Sequence, residues 1–441
     1  MNSTQRNHGA VYAGWRGGTR RPARALAVLL VAGLVATACD TNKLLDVDTP
    51  ASVPVALIDD PKNAALMVQS VAGDFLCALG STIAVEGIIS DELADAQLGA
   101  AAWPYDRRDA NIATNGSYGT NACTNNQTPG IYTPLATARW DADHALTNLN
   151  KWTDAQVSNR QALIAEAAAY AGLSYSLMGM SMCSAAFDLG PEVDQKGMFA
   201  LAEQRFTAAI AAAQTSGKAD LLNAAYVGRA RVRLFQGNKQ GAATDAALVP
   251  KGFQFTAPND GTDNRLYNRL FTVTSQFGYY TVEAQSRNLT TENGEADPRA
   301  ASTQVDTRPA DAKSVIFVPD RYIAGYSAPT PIATYTEAQL ILAEAQGGQN
   351  AVNIINALRA DVGLKAYTGP TDAASIQNLI IDERRRALFV QGFRNYDQQR
   401  FNLPFNPAVG TVYPLKGGTY GNTRCLLLPD IERNNNPNIT S

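Results

Sequence analysis

The chain is 441 residues long, with 37 Lys or Arg against 40 Asp or Glu and a formal net charge of −3. Five arginines and no acid precede residue 39, so the rest of the chain holds 32 basic and 40 acidic residues, a net charge of −8; that balance argues against nucleic-acid binding, where phosphate contacts need clustered Lys and Arg. Hydrophobic residues make up 45%, enough for a sizeable core, built as one large helical domain or as two or three smaller ones.

At the amino end a basic head (Arg16, Arg20, Arg21, Arg24) precedes an apolar run from Ala25 to Ala38. Fourteen residues are too few for a membrane span, which needs about 20, and they fit a secretory signal peptide. The run closes on Leu34-Val35-Ala36-Thr37-Ala38-Cys39, which resembles a bacterial lipobox. That resemblance implies that residues 1–38 leave as a lipoprotein signal and that Cys39 is acylated with palmitate-type chains. The mature chain is then held to a membrane through a tether over 39–60. Asp40 follows the cysteine, and an Asp there retains some lipoproteins in the inner membrane, so outer-leaflet and periplasmic placement both stay open. No later segment reads as a second span.

Pro61 to Leu79 has Ala65, Val68, Ala72, Phe75 and Leu79 at helical spacing and predicts the first long helix. Residues 99–134 then turn rich in Asn, Gly, Thr and aromatics, a long excursion of the kind that carries function. Helical periodicity returns over Leu135–Trp152, Arg160–Met182, Met198–Thr215, Leu221–Phe235 and, after Gly237-Asn238, Gln240–Leu248. Small residues recur on the last two (Ala224, Ala225, Gly228, Ala230, then Ala242, Ala243, Ala246). They match an antiparallel helix hairpin of the tetratricopeptide type, in which small side chains let helix axes approach closely. Residues 251–333 are irregular, with short extended runs at Phe253–Phe255, Gly278–Val282 and Val315–Val318. Helices resume at Tyr335–Gln346, Ala351–Asp361 and Ala373–Val390, and loops rich in Pro, Asn and Gly follow from Phe401.

The expected architecture is therefore mainly α. A single domain over 61–441 has a helical-repeat scaffold at about 135–250, loop-rich insertions at about 99–134 and 251–333, a few short strands, and C-terminal helices and loops over 334–441. Four cysteines remain after Cys39: Cys77, Cys123, Cys183 and Cys425. They allow three pairings, of which Cys77–Cys123 is preferred on proximity alone; Cys77 and Cys183 also read as small buried residues in apolar helices. Their spacings match no zinc motif.

Catalytic parts are scarce. Of two histidines, His8 lies in the signal, and His144 sits on a helix beside Asp141 and Asp143, where a capping or surface role is expected. No Gly-x-Ser-x-Gly, Gly-x-x-x-x-Gly-Lys or His-Glu-x-x-His occurs, so nucleophile-elbow, phosphate-loop and zincin chemistry have no anchor. The acids of Ser90-Asp91-Glu92-Leu93-Ala94-Asp95 are the one candidate for paired glycosidase carboxylates, although acids sharing a turn usually just solvate it. No cofactor or metal is implied.

Aromatics in polar loops are the stronger signal. Trp103, Tyr105, Tyr118 and Tyr132 fall in the first loop region; Tyr267, Tyr279, Tyr280, Tyr322 and Tyr326 fall in the second. Flat rings stack on the apolar faces of sugars while neighbouring Asp, Asn and Arg bond the hydroxyls, and Trp103-Pro104-Tyr105 followed by Arg107 and Asn111 offers both kinds of group. The candidate ligand contacts are Trp103, Tyr105, Arg107, Asn111, Tyr118, Tyr279, Tyr280 and Tyr322. The competing reading is that these rings pin long loops onto the scaffold.

The C-terminal third carries a resemblance. Residues 383–400, from Glu383-Arg384-Arg385-Arg386 through Gly392, Arg394 and Asp397 to Arg400, resemble the E-R-R-x-E-L-x-x-E-G-x-R-x-x-D-L-x-R signature of SusD/RagB-type outer-membrane lipoproteins. Glu337 to Ala345 is similar to that family's E-x-x-L-I-x-A-E-A helix, Asn356 to Arg359 to its N-x-x-R, and Pro429 to Pro437 to its terminal P-x-x-E-x-x-x-N-P. Ala387 and Gln391 stand where the signature has acids. Read from the residues alone, Arg394, Asp397 and Arg400 recur on one helical side where Glu383 and Arg386 can join them, an ion-pair network that fixes scaffold geometry. The resemblance implies a SusD-like fold and a non-catalytic surface protein that binds an oligosaccharide or other nutrient. In that family the protein passes its cargo to a partner SusC-like, TonB-dependent β-barrel transporter in the outer membrane. It further implies ligand contact on aromatic-bearing loops, placed here at 99–132 and 267–326, away from hairpins that pack on the transporter. The alternatives are a membrane-tethered protein-interaction scaffold with no small ligand, and a surface glycosidase.

Overall fold

The structure is a computed structural model and describes residues 58–97, 103–110, 116–414 and 417–439; Cys39 and Asn111 lie outside them. The fold is mainly α. A 3-10 turn at Pro61–Asn63 leads into α1 (Ala64–Ile89), and two short helices, α2 (Trp103–Asp106) and α3 (Ser117–Thr120), lie in the first loop region. The scaffold follows as α4 (Tyr132–Lys151), α5 (Arg160–Ser181), α6 (Gln195–Ser216), α7 (Ala219–Phe235) and α8 (Lys239–Ala246). After the second loop region, with its single turn α9 (Arg269–Phe271), come α10 (Tyr335–Gln346), α11 (Gly348–Ala360), α12 (Ala373–Ala387), α13 (Arg394–Arg400) and α14 (Asp430–Arg433).

Helix starts follow local chemistry. Asp194 accepts a bond from Gly197 N at 2.8 Å, Asn238 from Gly241 N at 2.9 Å, Thr334 from Glu337 N at 3.1 Å and Asp372 from Ser375 N at 3.1 Å. Each side chain satisfies a donor that the first helical turn leaves open. Successive helices pack as antiparallel hairpins, α5 against both α4 and α6, and α7 against both α6 and α8. The close approach comes from glycine. A Cβ on Gly179 of α5 would stand 2.5 Å from the Phe199 ring of α6, and one on Gly228 of α7 would stand 2.4 Å from Phe206. Two large rings on α6 thus fill the notches that glycines leave on its neighbours, the small-on-large fit that lets hairpins stack.

α1 runs ten residues past the expected end at Leu79. Gly80 and Gly87 lie inside the helix, where a Cβ would meet Arg269 at 3.0 Å and Leu93 at 2.7 Å respectively. They are points of close contact, not breaks. Contrary to the reading that no later segment resembles a span, Pro61–Ile89 is long and apolar enough to cross a membrane, with a mean hydropathy of 1.5. Yet 78% of that apolar window is buried, against α4, α5 and α13, so α1 is the core helix of the body.

Among the described residues, strands occur as four two-stranded antiparallel ladders. β1 (Leu93–Asp95) pairs with β5 (Tyr280–Val282), β2 (Ser184–Ala186) with β3 (Glu192–Asp194), β4 (Gln254–Ala257) with β8 (Thr330–Thr334), and β6 (Ser302–Gln304) with β7 (Phe317–Pro319). The β1–β5 ladder sets Leu93 opposite Val282 and Asp95 opposite Tyr280, which joins the two loop regions. Disulfides do the remaining stapling. Cys77–Cys123 ties the first loop region to α1, as preferred from proximity, and Cys183–Cys425 ties the C-terminal loops to the end of α5. Cys77 and Cys183 are therefore bridged rather than simply small core residues.

The C-terminal motif is a buried ion network wired differently from the expected one. α12 ends at Ala387, and the chain turns through Val390 at φ 49° and Gly392 at φ 83°, the left-handed region that glycine enters freely. The turn divides the expected single row of charges. Glu383 accepts from Arg359 at 2.6 Å, Arg386 at 2.7 Å and Arg299 at 2.8 Å, whereas Asp397 takes Arg384 at 2.8 Å and Arg400 at 2.7 Å. Arg394 reaches back to Asp91, and Arg400 also bonds Glu344 of α10. Glu337, the other acid of that α10 motif, holds Arg231 of α7. Partners from α10, α11, the residues after α1 and the turn at Arg299 thus converge on α12 and α13, and removing one member would leave a buried charge uncompensated.

Candidate functional site

The loop face is built around the β1–β5 ladder. Beside it, α2 and the residues after it are docked to the C-terminal loop by backbone bonds, Gly421 N to Arg107 O at 2.6 Å and Thr423 N to Arg108 O at 3.0 Å. The Arg108 guanidinium reaches Pro407 O and lies over the rings of Phe405 and Tyr420, 4.8 and 4.7 Å from their centroids. Arg107 lies near both Trp103 and Tyr413, 5.9 and 5.8 Å from their ring centroids. Tyr413 and Tyr420 meet edge to face at 5.2 Å. Tyr413 Oη donates to Asp106 Oδ2 at 2.6 Å, and the same oxygen accepts Asp95 N at 3.1 Å.

Of these groups, Asp95, Asp106, Tyr413 and Tyr420 line a cavity of about 380 Å³, together with Glu283, Arg287 and others. Its size suits a small ligand, since such pockets run from about 300 to 1,000 Å³. Val315 and Val412, 45% and 72% exposed, add apolar surface at its edge. Burial, and then the charge of Asp106, raise the Glu283 carboxyl. Burial also raises the Tyr413 phenol, with Asp106 adding to it, and burial lowers the Arg287 guanidinium. Carboxylates that accept, a guanidinium that donates, and phenols able to do both form a set suited to a ligand with several hydroxyls.

The sequence candidates divide. Trp103 and Arg107 are half-buried on this face. Tyr279, also half-buried, stacks on exposed Phe277 at 5.3 Å. Tyr105, Tyr118, Tyr280 and Tyr322 are each fully buried. The hydroxyls of Tyr105, Tyr280 and Tyr322 bond the carbonyls of Pro129, Gln127 and Val390, and burial pushes the Tyr118 phenol up to about 12. Tyr132 is likewise interior, while Tyr267 and Tyr326 pack against each other with tilted rings, centroids 4.2 Å apart. The wall formed by Phe405, Tyr413 and Tyr420 did not figure among the sequence candidates. Its signal was available as two tyrosines and a phenylalanine in a Pro- and Gly-rich tail.

The carboxylates considered for glycoside chemistry are not a facing pair. Burial pushes Asp91 up, but the hydrogen bond and charge of Arg394 outweigh it and hold the carboxyl below its usual range. Glu92 accepts Val390 N at 2.9 Å, and burial pushes it up to about 8. His144 bonds Asp59 at 2.7 Å and stacks on Trp140, a setting that fits a surface role. Among the described residues no cluster of His, Cys, Asp or Glu is placed to hold a metal ion.

The model of the SusD family matches residues 213–425, the stretch that holds α7 to α13 and their ion network. Over that stretch the chain is assigned to the SusD family. The crystal structure of a SusD superfamily protein from Bacteroides vulgatus superposes with a TM-score of 0.64 at 15% identity, over 86% of this chain and 98% of that one. A SusD-like carbohydrate binding protein from the same organism gives 0.63 at 15% identity, over 86% and 97%. A laminarin binding SusD-like protein gives 0.57 at 18%, over 86% and 98%. At these identities the likeness is one of fold. Among curated proteins, no sequence matches.

Proposed function

We propose that this SusD-family chain binds an oligosaccharide at the cell surface and passes it to a TonB-dependent outer-membrane transporter, with no bond made or broken. The family match over 213–425 carries the reading. Two structural neighbours described as carbohydrate and laminarin binders support the sugar class. Lipid on Cys39 holds the protein at the outer membrane, and the loop face is its binding surface. Trp103, Arg107 and Tyr279 contact the ligand, with Asn111 among them and the Tyr413–Tyr420 wall behind. Tyr105, Tyr118, Tyr280 and Tyr322 act instead as pins that hold the loops to the body, because their rings have no free face to offer a sugar.

Isothermal titration of the intact protein against a panel of oligosaccharides that includes laminarin fragments tests this. Trp103→Ala and Tyr279→Ala are each expected to weaken binding tenfold or more, about 1.4 kcal/mol. Unchanged affinity in both removes the loop site. Delivery predicts co-purification from membranes with a large β-barrel protein; a soluble periplasmic partner in its place would favour the protein-scaffold alternative.

A further inference from the structure

A second cavity, of about 340 Å³, lies between the β4–β8 ladder, the first turn of α10, the end of α11 and the turn after α12. Its charged lining is Lys251, Arg299 and Arg321 against a single acid, Asp361, and that acid is bonded to Lys251 at 2.6 Å. Arg321 Nη2 donates to the Arg299 carbonyl at 2.9 Å, and among the described residues no carboxylate pairs with it. Arg299 is nine-tenths buried; Asp297 and Glu383 hold its Nη2, while its Nη1 has no hydrogen-bond partner. A buried donor left open is unusual enough to call for an explanation. The two positions where the family signature has acids, Ala387 and Gln391, both line this cavity as neutral residues.

We infer that this cavity is a second binding site, for the carboxylate of a small acidic sugar, with Arg321 as its principal charge partner and Arg299 beneath it. A guanidinium matches a carboxylate with two parallel bonds, and the neutral Ala387 and Gln391 leave Arg321 uncompensated by the protein. Asp297, Glu383 and Asp361 stand close by, so a singly charged group fits better than a phosphate dianion. Phe253 and Tyr335 in the same lining offer apolar and aromatic surface to a sugar ring. This site is separate from the loop-face reading and does not depend on it.

Titration of the intact protein with D-glucuronate tests the inference, with D-glucose and inorganic phosphate as comparison ligands. D-glucuronate is expected to bind, and to bind more tightly than phosphate, while D-glucose does not compete. Arg321→Gln, at a half-exposed position, is expected to weaken binding at least tenfold. Gln391→Glu places a carboxylate against the arginines and is expected to do the same, and thermal melts check that both variants fold. Trp103→Ala is expected to leave D-glucuronate binding unchanged, which separates this site from the loop face. Absence of D-glucuronate binding by the wild-type protein, tighter binding of phosphate, or undiminished wild-type affinity in both cavity variants would each overturn the assignment.

Discussion

Burial at single residues sets the protein's response to pH. Glu86 and Glu92, at and just past the end of α1, are closed off from water, and desolvation raises their carboxyls to about 7 and about 8. Glu86 is partly relieved by Asn395, whose amide donates at 2.9 Å. A carboxyl whose folded value is raised favours the folded state while it stays protonated. That stability is therefore fully present below the unfolded value near 4.5 and is lost as pH rises through 7 and 8. Asp91, Asp297 and Asp397 are held low and give the opposite dependence, but only in more acidic solution. The melting temperature is thus expected to fall between pH 5 and pH 8, each site losing up to about 1.4 kcal/mol of stability for every pH unit climbed within that window. Glu92→Gln keeps the acceptor for Val390 N without a charge, so it should flatten the slope. An equal slope in wild type and variant, measured by calorimetry across that range, would refute the assignment. The same residues explain why the motif's wiring was illegible. Sequence spacing places Glu383, Arg386, Arg394, Asp397 and Arg400 in one row, but the left-handed turn at Val390 and Gly392 splits the row, and partners as distant as Asp91 and Arg299 cannot be read from local period.

Helices were legible where one face alternates with another, and misjudged where packing overrides propensity. α4 to α8 carry small residues at helical spacing and fall close to their expected bounds, and the hairpin reading of α7 with α8 is realised by a short Gly237-Asn238 turn. α1 ran on because glycine inside a helix costs only about 1 kcal/mol, which tight contact with Arg269 and Leu93 offsets. The same logic makes the α6 interface brittle. A side chain at Gly228 must displace the Phe206 ring, which a Cβ alone would approach to 2.4 Å, and overpacking of this kind costs about 1–3 kcal/mol. Gly228→Val is therefore expected to lower the stability by that amount, with Phe206→Leu restoring part of it in the double variant. Strict additivity of the two losses in urea titrations would show that the ring and the glycine do not share one notch.

At the scale of the whole molecule, the fold class was readable and the binding face only partly so. Rings in loops have no period to say which way they point, so Trp103 and Tyr280 look alike in sequence, yet one is half-buried beside Arg107 and the other is sealed inside. The wall that completes the face comes from residues 405–424, some 300 positions away from Arg107 and Arg108, and only the tertiary pairing of those loops reveals it. Attachment to the membrane follows a different argument. The one stretch of the described body apolar enough to span, Pro61–Ile89, is spent in the core, packed against α4 and α5. Its hydrophobicity is already used in folding and does not anchor the protein. Under the proposed function, retention rests on acyl chains on Cys39, each buried methylene contributing about 0.8 kcal/mol, and more than one chain would make release slow. Cys39→Ala is expected to move the protein from the membrane to the soluble fraction and to abolish labelling with radioactive palmitate, while its melting temperature and its oligosaccharide affinity stay as in the wild type. A Cys39→Ala protein that remains with the membrane after high-salt washing would place the anchor elsewhere in the chain.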